Sequence, residues 1–221
     1  MSSRKSKKRS TLTKLQRKEV MRLAKEAAHE IPERKSFLFI DENKQLVHNI
    51  VTYIPNFLSC KQGVTDPNST PGTNLVRIGD EFYLQNINIR FWLSNKEDRP
   101  NVMYKLFLFW YDSDMTLSNA NVFFTQQNKM LDRINNESIS LIDTVIVRST
   151  QSYAATGNEH SYLATLNKTW KNRKITYDEG ATIPKNRTIG VAIVAYDAFG
   201  TLQTDEIASY AYNANMTITD P

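Results

Sequence analysis

The chain is 221 residues long and carries 28 Lys and Arg against 23 Asp and Glu, a formal net charge of +5. That length allows one large domain, or one domain with an appendage, whose core needs no covalent staple. Cys60 is the only cysteine, which excludes a disulfide within the chain and a cysteine-built zinc site and fits a reducing compartment. No apolar run approaches the roughly 18 residues of a membrane span and no signal peptide precedes the body, so neither a membrane partner nor secretion is expected. The N-x-Ser/Thr matches at Asn68, Asn136, Asn167, Asn186 and Asn215 then carry little weight.

The charge is segregated. Residues 1–35 hold 12 Lys and Arg against 4 Glu, a net of +8, which leaves 16 against 19, a net of −3, for residues 36–221. A cationic arm on a mildly acidic body points to a polyanion bound by the arm alone.

Within the arm, Met1–Ser10 has no apolar residue beyond the initiator and cannot offset the entropy of ordering, so it is expected to be disordered when free. From about 11 to 31 the pattern predicts a helix. Leu12, Leu15, Val20, Leu23, Ala27 and Ile31 fall on one stripe at helical period, and Lys14, Lys18, Arg22 and Lys25 fall opposite. Thr13 and Gln16 have capping-box spacing, and Pro32 ends the pattern. Such a helix wants protein on its stripe and phosphate on its charges. Trp and Phe are absent from the stripe, which argues against a membrane surface. The Arg4–Arg9 run also suits a nuclear-import or solubilising tail.

After Pro32 the period changes to that of strands. Ser36–Ile40 and Leu46–Tyr53 are expected to flank a polar turn at Asp41–Lys44, and Ser59–Asn74 reads as a long loop. In Phe82–Leu93 the alternation slips at Gln85–Asn86, the signature of a β-bulge. Ser94–Asn101 is a polar connector, with Pro100 at its exit, where the chain should pass from one sheet to a facing one. Val102–Tyr111 (VMYKLFLFWY) is apolar on both faces. Asn121–Thr125, Ile139–Arg148, Tyr162–Trp170, Arg173–Tyr177, Arg187–Tyr196 and Ile207–Ile218 complete eight strands from Phe82 onward, with a helical turn expected within 126–137. Eight antiparallel strands of this length fit a two-sheet sandwich or jelly roll. The run within Arg187–Tyr196 is again apolar on both faces, which calls for cover, either by other copies of the chain or by long loops such as Ser59–Asn74.

Catalytic patterns are missing. His29, His48 and His160 sit in unrelated segments, and no Ser/His/Asp set, HExxH or phosphate-cradling Gly-rich loop can be drawn. Cys60 reads as a bystander. Asp112 and Asp114 suit half of a cation site, or a metal-dependent enzyme, but equally a turn cap; Asp178–Glu179 and Asp205–Glu206 read as solvated loop charges. No enzyme and no cofactor are expected.

The order of parts resembles the small jelly-roll capsid proteins of circular Rep-encoding single-stranded DNA viruses and of satellite tobacco necrosis virus. The stretches that carry the resemblance are SRKSKKRSTLTKLQRKEVMRLAKEAAHEIPERKSFLFI, LVRIGDEFYLQNINIRFWL, YKLFLFWYDSD and LNKTWKNRKITYDEGATIPKNRTIGVAIVAYD. The resemblance implies an all-β, eight-stranded antiparallel jelly roll over 36–221, a homo-oligomeric icosahedral shell, and a virion protein with a host-nuclear stage during assembly. It further implies arms, residues 1–35, that bind single-stranded nucleic acid, with DNA favoured. Arg4, Lys5, Lys7, Lys8, Arg9, Lys14, Arg17, Lys18, Arg22 and Lys25 would then neutralise phosphate, and the apolar stripe would pack against neighbouring arms. The alternative is a soluble jelly-roll ligand-binding module with a nuclear-localising tail.

Overall fold

Alternating apolar residues on long strands can bury one face only against another sheet, and two four-stranded antiparallel sheets meet in the computed structural model in this way. The structure describes residues 13–30, 33–63, 76–148, 161–197 and 204–220. Its elements are α1 (Lys14–Glu30), β1 (Glu33–Val47), β2 (Val51–Ile54), β3 (Lys61–Gln62), β4 (Val76–Arg77), β5 (Glu81–Asn95) and β6 (Val102–Asp112). They continue with α2 (Asn119–Val122), β7 (Ser140–Val147), β8 (Ser161–Thr176), β9 (Arg187–Asp197) and β10 (Glu206–Asp220).

The first sheet has the order β1-β10-β5-β8 and the second β2-β9-β6-β7; β3 and β4 form a separate two-residue parallel pair. Apart from the β3–β4 pair, successive strands alternate between the two sheets except at β6–β7, which is the winding of a jelly roll. The connector after β5 carries the chain from the first sheet to the second, as its polarity predicts. The bulge also falls where the alternation slips: pairing of β5 skips Gln85, with Leu84 opposite Arg173 and Asn86 opposite Thr169. Gln85 turns outward and donates to Asn172 (2.7 Å) and Thr219 (3.2 Å).

Three expectations are corrected. Among the described residues ten strands form in all, eight in the two sheets and two in the β3–β4 pair, and from Phe82 onward there are six where eight were expected. β1 runs unbroken through Asp41–Lys44, where the pairing shifts and Asn43 takes φ +55°; the corner comes later, at Asn49 (φ +56°). Tyr162–Trp170 and Arg173–Tyr177 belong to one strand, β8, while the expected strand Asn121–Thr125 is the short helix α2 followed by a single bridge between Phe123 and Ile134.

The cover over the second sheet comes from the chain itself. Val102, Tyr104, Leu106, Leu108 and Trp110 of β6, with Ile189, Val191, Ile193 and Ala195 of β9, face the first sheet and fill the main core. Phe107, Phe109 and Tyr111, with Ala192 and Val194, face the other way into a second core closed by Val122, Phe123 and Ile139. Residues 113–139 thus cap this face, so the cover is a long loop of the chain, the second of the two expectations, although a different loop from Ser59–Asn74, of which residues 64–74 lie outside the described ones.

One buried cation pins the cap. Lys105 of β6 donates to the carbonyls of Lys129 (3.2 Å), Met130 (3.3 Å) and Asp132 (3.1 Å), and its ammonium lies 5.7 Å from the centre of the Phe123 ring. Burial pulls the Lys105 pKa below the usual lysine range, against the opposing charge of Asp132. Asp132 accepts from Thr125 (2.6 Å) and Lys129 (3.3 Å). Burial alone would raise its pKa, but these hydrogen bonds and the Lys129 charge outweigh it and hold the carboxyl below its ordinary value.

Candidate nucleic-acid interface

The capping box closes the start of α1. Thr13 N–H donates to Gln16 Oε1 (3.0 Å) while Gln16 N–H donates to Thr13 Oγ1 (3.3 Å), satisfying two of the amides a helix start leaves open. With the start fixed, helical period decides which side each cation takes. Arg17, Lys18 and Arg22 are exposed, and Lys14 and Lys25 fall within α1 with side chains outside the described ones. Arg22 is not free: it pairs with Glu19 at 2.6 Å, one turn back. An exposed pair of this kind holds by about 0.2–1 kcal/mol, so a phosphate can displace the carboxylate. Arg4, Lys5, Lys7, Lys8 and Arg9 lie outside the described residues, as does the whole of Met1–Ser10. Of the predicted cations, the structure thus describes the side chains of Arg17, Lys18 and Arg22, all exposed on α1.

A second basic stretch emerges that the sequence reading passed over. Lys168, Lys171, Arg173 and Lys174 crowd the far half of the edge strand β8, and four cations within seven residues were the available signal. Lys174 pairs with Glu81 (2.5 Å), and the Arg173 guanidinium lies 5.5 Å from the Trp110 ring centre, beside Trp170. Arg187 closes the same end by donating to the Trp110 carbonyl (3.3 Å) and Ser140 (2.9 Å). Lysines on an edge strand also deter pairing with another sheet, so this stretch has a structural reason to be basic.

The residues weighed for chemistry have structural employment. Asp112 accepts the N–H of Asp114 (3.0 Å), a turn cap. Cys60 is buried in the main core, where burial pushes its thiol pKa up. Asp178 pairs with Lys185, Asp205 with Arg99 and Glu206 with Lys96. His48 is buried, and its Nδ1 accepts the Asp197 N–H (3.1 Å); His29 and His160 have side chains outside the described ones. Among the described residues no group of three or more His, Cys, Asp or Glu is placed to hold a metal, and no helix is long and apolar enough to cross a membrane. What the described residues offer on α1 is exposed positive charge at Arg17, Lys18 and Arg22.

No protein-family model and no curated protein matches the chain. Among solved structures it is similar to Desmodium yellow mottle tymovirus, at 8% identity over 86% of this chain and 89% of that chain, with a TM-score of 0.38. It is also similar to the empty head of turnip yellow mosaic virus, at 7% identity over 86% and 82% with a TM-score of 0.34. A third likeness is to sacbrood virus of honeybee, at 10% identity over 86% and 77% with a TM-score of 0.33.

Proposed function

We propose that the chain is a viral coat protein that self-assembles into a small closed shell and packages single-stranded nucleic acid, DNA in preference to RNA, through its N-terminal arm. The observation that carries the reading is the segregation of charge, +8 on residues 1–35 against −3 on the rest, attached to a body of jelly-roll strand order. Lys and Arg contacts to phosphate hold a strand without reading its bases, as packaging a whole genome requires. The Arg4–Arg9 run adds a nuclear address for assembly, and the two four-stranded sheets serve as the wall of the shell.

Electron microscopy with sizing of the full-length protein and of a form lacking residues 1–30 tests this. The reading expects closed, nucleic-acid-filled shells from the former and empty or aberrant assemblies from the latter. Small, nucleic-acid-free particles from both, across salt and concentration, would instead support a soluble jelly-roll ligand-binding module with a nuclear-localising tail.

A further inference from the structure

The outer face of the first sheet is mostly Asn, Thr and Ser, with one apolar interruption. Leu163 of β8, Trp92 of β5 and Ala211 of β10 stand in one row across three strands, and Ile40 of β1 lies in the next row beside Asn213 and Arg90. Ile40, Trp92 and Leu163 are 58%, 52% and 75% exposed, and with their neighbours they line a groove of about 410 Å³. A strand face should not spend a Trp and a Leu on water without a partner.

The chain has a second unsatisfied apolar surface close at hand. Leu15, at 83% exposed, with Val20 and Leu23, forms the described part of the stripe of α1. Helix and sheet are joined at short range: α1 ends at Glu30 and β1, an edge strand of this sheet, begins at Glu33. Two-residue connections suffice to turn a helix onto a sheet. The lengths then correspond. Leu15 precedes Glu30 by about 23 Å of helix, and Ile40 follows Glu33 by about 24 Å of strand. A helix folded back along β1 sets Leu15 over the groove. The charges can also be matched: Glu19, which falls between Leu15 and Leu23 on the stripe and pairs with Arg22, would exchange that exposed partner for Arg90, which lines the groove with Glu42 and makes no ion pair among the described residues.

We infer that the outer face of the first sheet is the docking surface for the chain's own α1, with the Leu15 side of the helix seated in the groove formed by Ile40, Trp92, Leu163 and Ala211. Docking in this way leaves Arg17 and Lys18 on the arc that faces away from the sheet. The short tether favours the same chain over a neighbour by its effective concentration. The inference does not depend on what polyanion the arm binds.

A cysteine pair tests it in the full-length protein. Leu15→Cys with Ala211→Cys should link under mild oxidation within one chain, identified by the mass of the joined peptides, while Arg17→Cys with Ala211→Cys should not. Glu19→Arg in the linking pair should cut the yield several-fold, and adding Arg90→Glu should restore it. Two results overturn the inference: absence of the Leu15–Ala211 link in protein with an unchanged melting transition, or its appearance only between chains when the two single variants are mixed. Should the cysteine variants fail to fold, Leu15→Glu alone must make Trp92 more accessible to an acrylamide quencher, and unchanged quenching also overturns it.

Discussion

Replacing Lys105 with Met should unfasten residues 113–139 while leaving the sandwich formed. The side chains are similar in length, so the change removes three hydrogen bonds and one charge without opening a large cavity. The bonds run from 3.1 to 3.3 Å, at the long end of the N–H···O range, so each is set near the lower bound for a charged donor, about 1.5 kcal/mol. Three of them amount to roughly 4–5 kcal/mol. Relief of the buried ammonium's desolvation, which lowers its pKa, returns about 1–3 kcal/mol, and the net loss is about 1–4 kcal/mol. Because the loss falls on one segment, amide exchange should accelerate across 113–139 well before it does in β5 or β10, and Phe107 and Phe109 should become accessible to a hydrophobic dye. Urea titration with exchange mass spectrometry reads both. A Lys105→Met protein within about 0.5 kcal/mol of the parent, with unchanged exchange in 113–139, would refute the account of how this face is closed.

Further expectations follow from single sites. A Cβ on Gly190 would lie 3.0 Å from Tyr111 and 3.4 Å from Leu117 and Phe109, so Gly190→Ala should lower stability by about 1 kcal/mol and Gly190→Val by more, measured by thermal melting. Burial lowers the His48 pKa below 6.5, outweighing Asp197 and Asp205, so the unfolded chain takes up this proton first. Stability from this group is whole above about 6.5 and falls as pH drops through the folded value, by at most about 1.4 kcal/mol per pH unit; His48→Asn, which keeps an acceptor for Asp197 N–H, should flatten that slope. If nine or ten arm cations each meet a phosphate, log K against log salt for a single-stranded oligonucleotide should slope at about −6 to −7, nearly independent of sequence. A slope shallower than about −2 would reject the arm as the binding element. Arg22→Gln should change the slope less than Lys18→Gln, since the Arg22 charge is already engaged by Glu19.

Much of the framework was legible because apolar period survives wherever a strand crosses the core: the slip at Gln85 and the double-faced β6 and β9 appear in the residues as they do in space. Polarity misled where strands run past the core. Asp41–Lys44 reads as a turn and Lys171–Asn172 as a gap between two strands, yet β1 and β8 continue through them as wet edge strands. The turn residue that mattered was Asn49, whose left-handed backbone no hydrophobic pattern encodes. Double-faced strands announced a cover without naming it, because the contact that fixes the cover is a lysine, a residue whose type signals the surface. A lone Lys within VMYKLFLFWY was the available hint. The arm's charge was evident from composition, whereas the groove at Trp92 depends on registers between strands far apart in sequence.

The pairing of β1 with β10 sets a rule for synthesis. Glu33 lies opposite Asp220, and Lys35 forms its ion pair with Asp220 (2.9 Å) across nearly the whole body. β10 occupies the middle of the first sheet, between β1 and β5, so that sheet cannot close until the last strand has left the ribosome. With so many distant pairings, folding should be slow and post-translational. Without β10 the facing flanks of β1 and β5 stay bare, so the first sheet forms only when its earliest and latest strands meet.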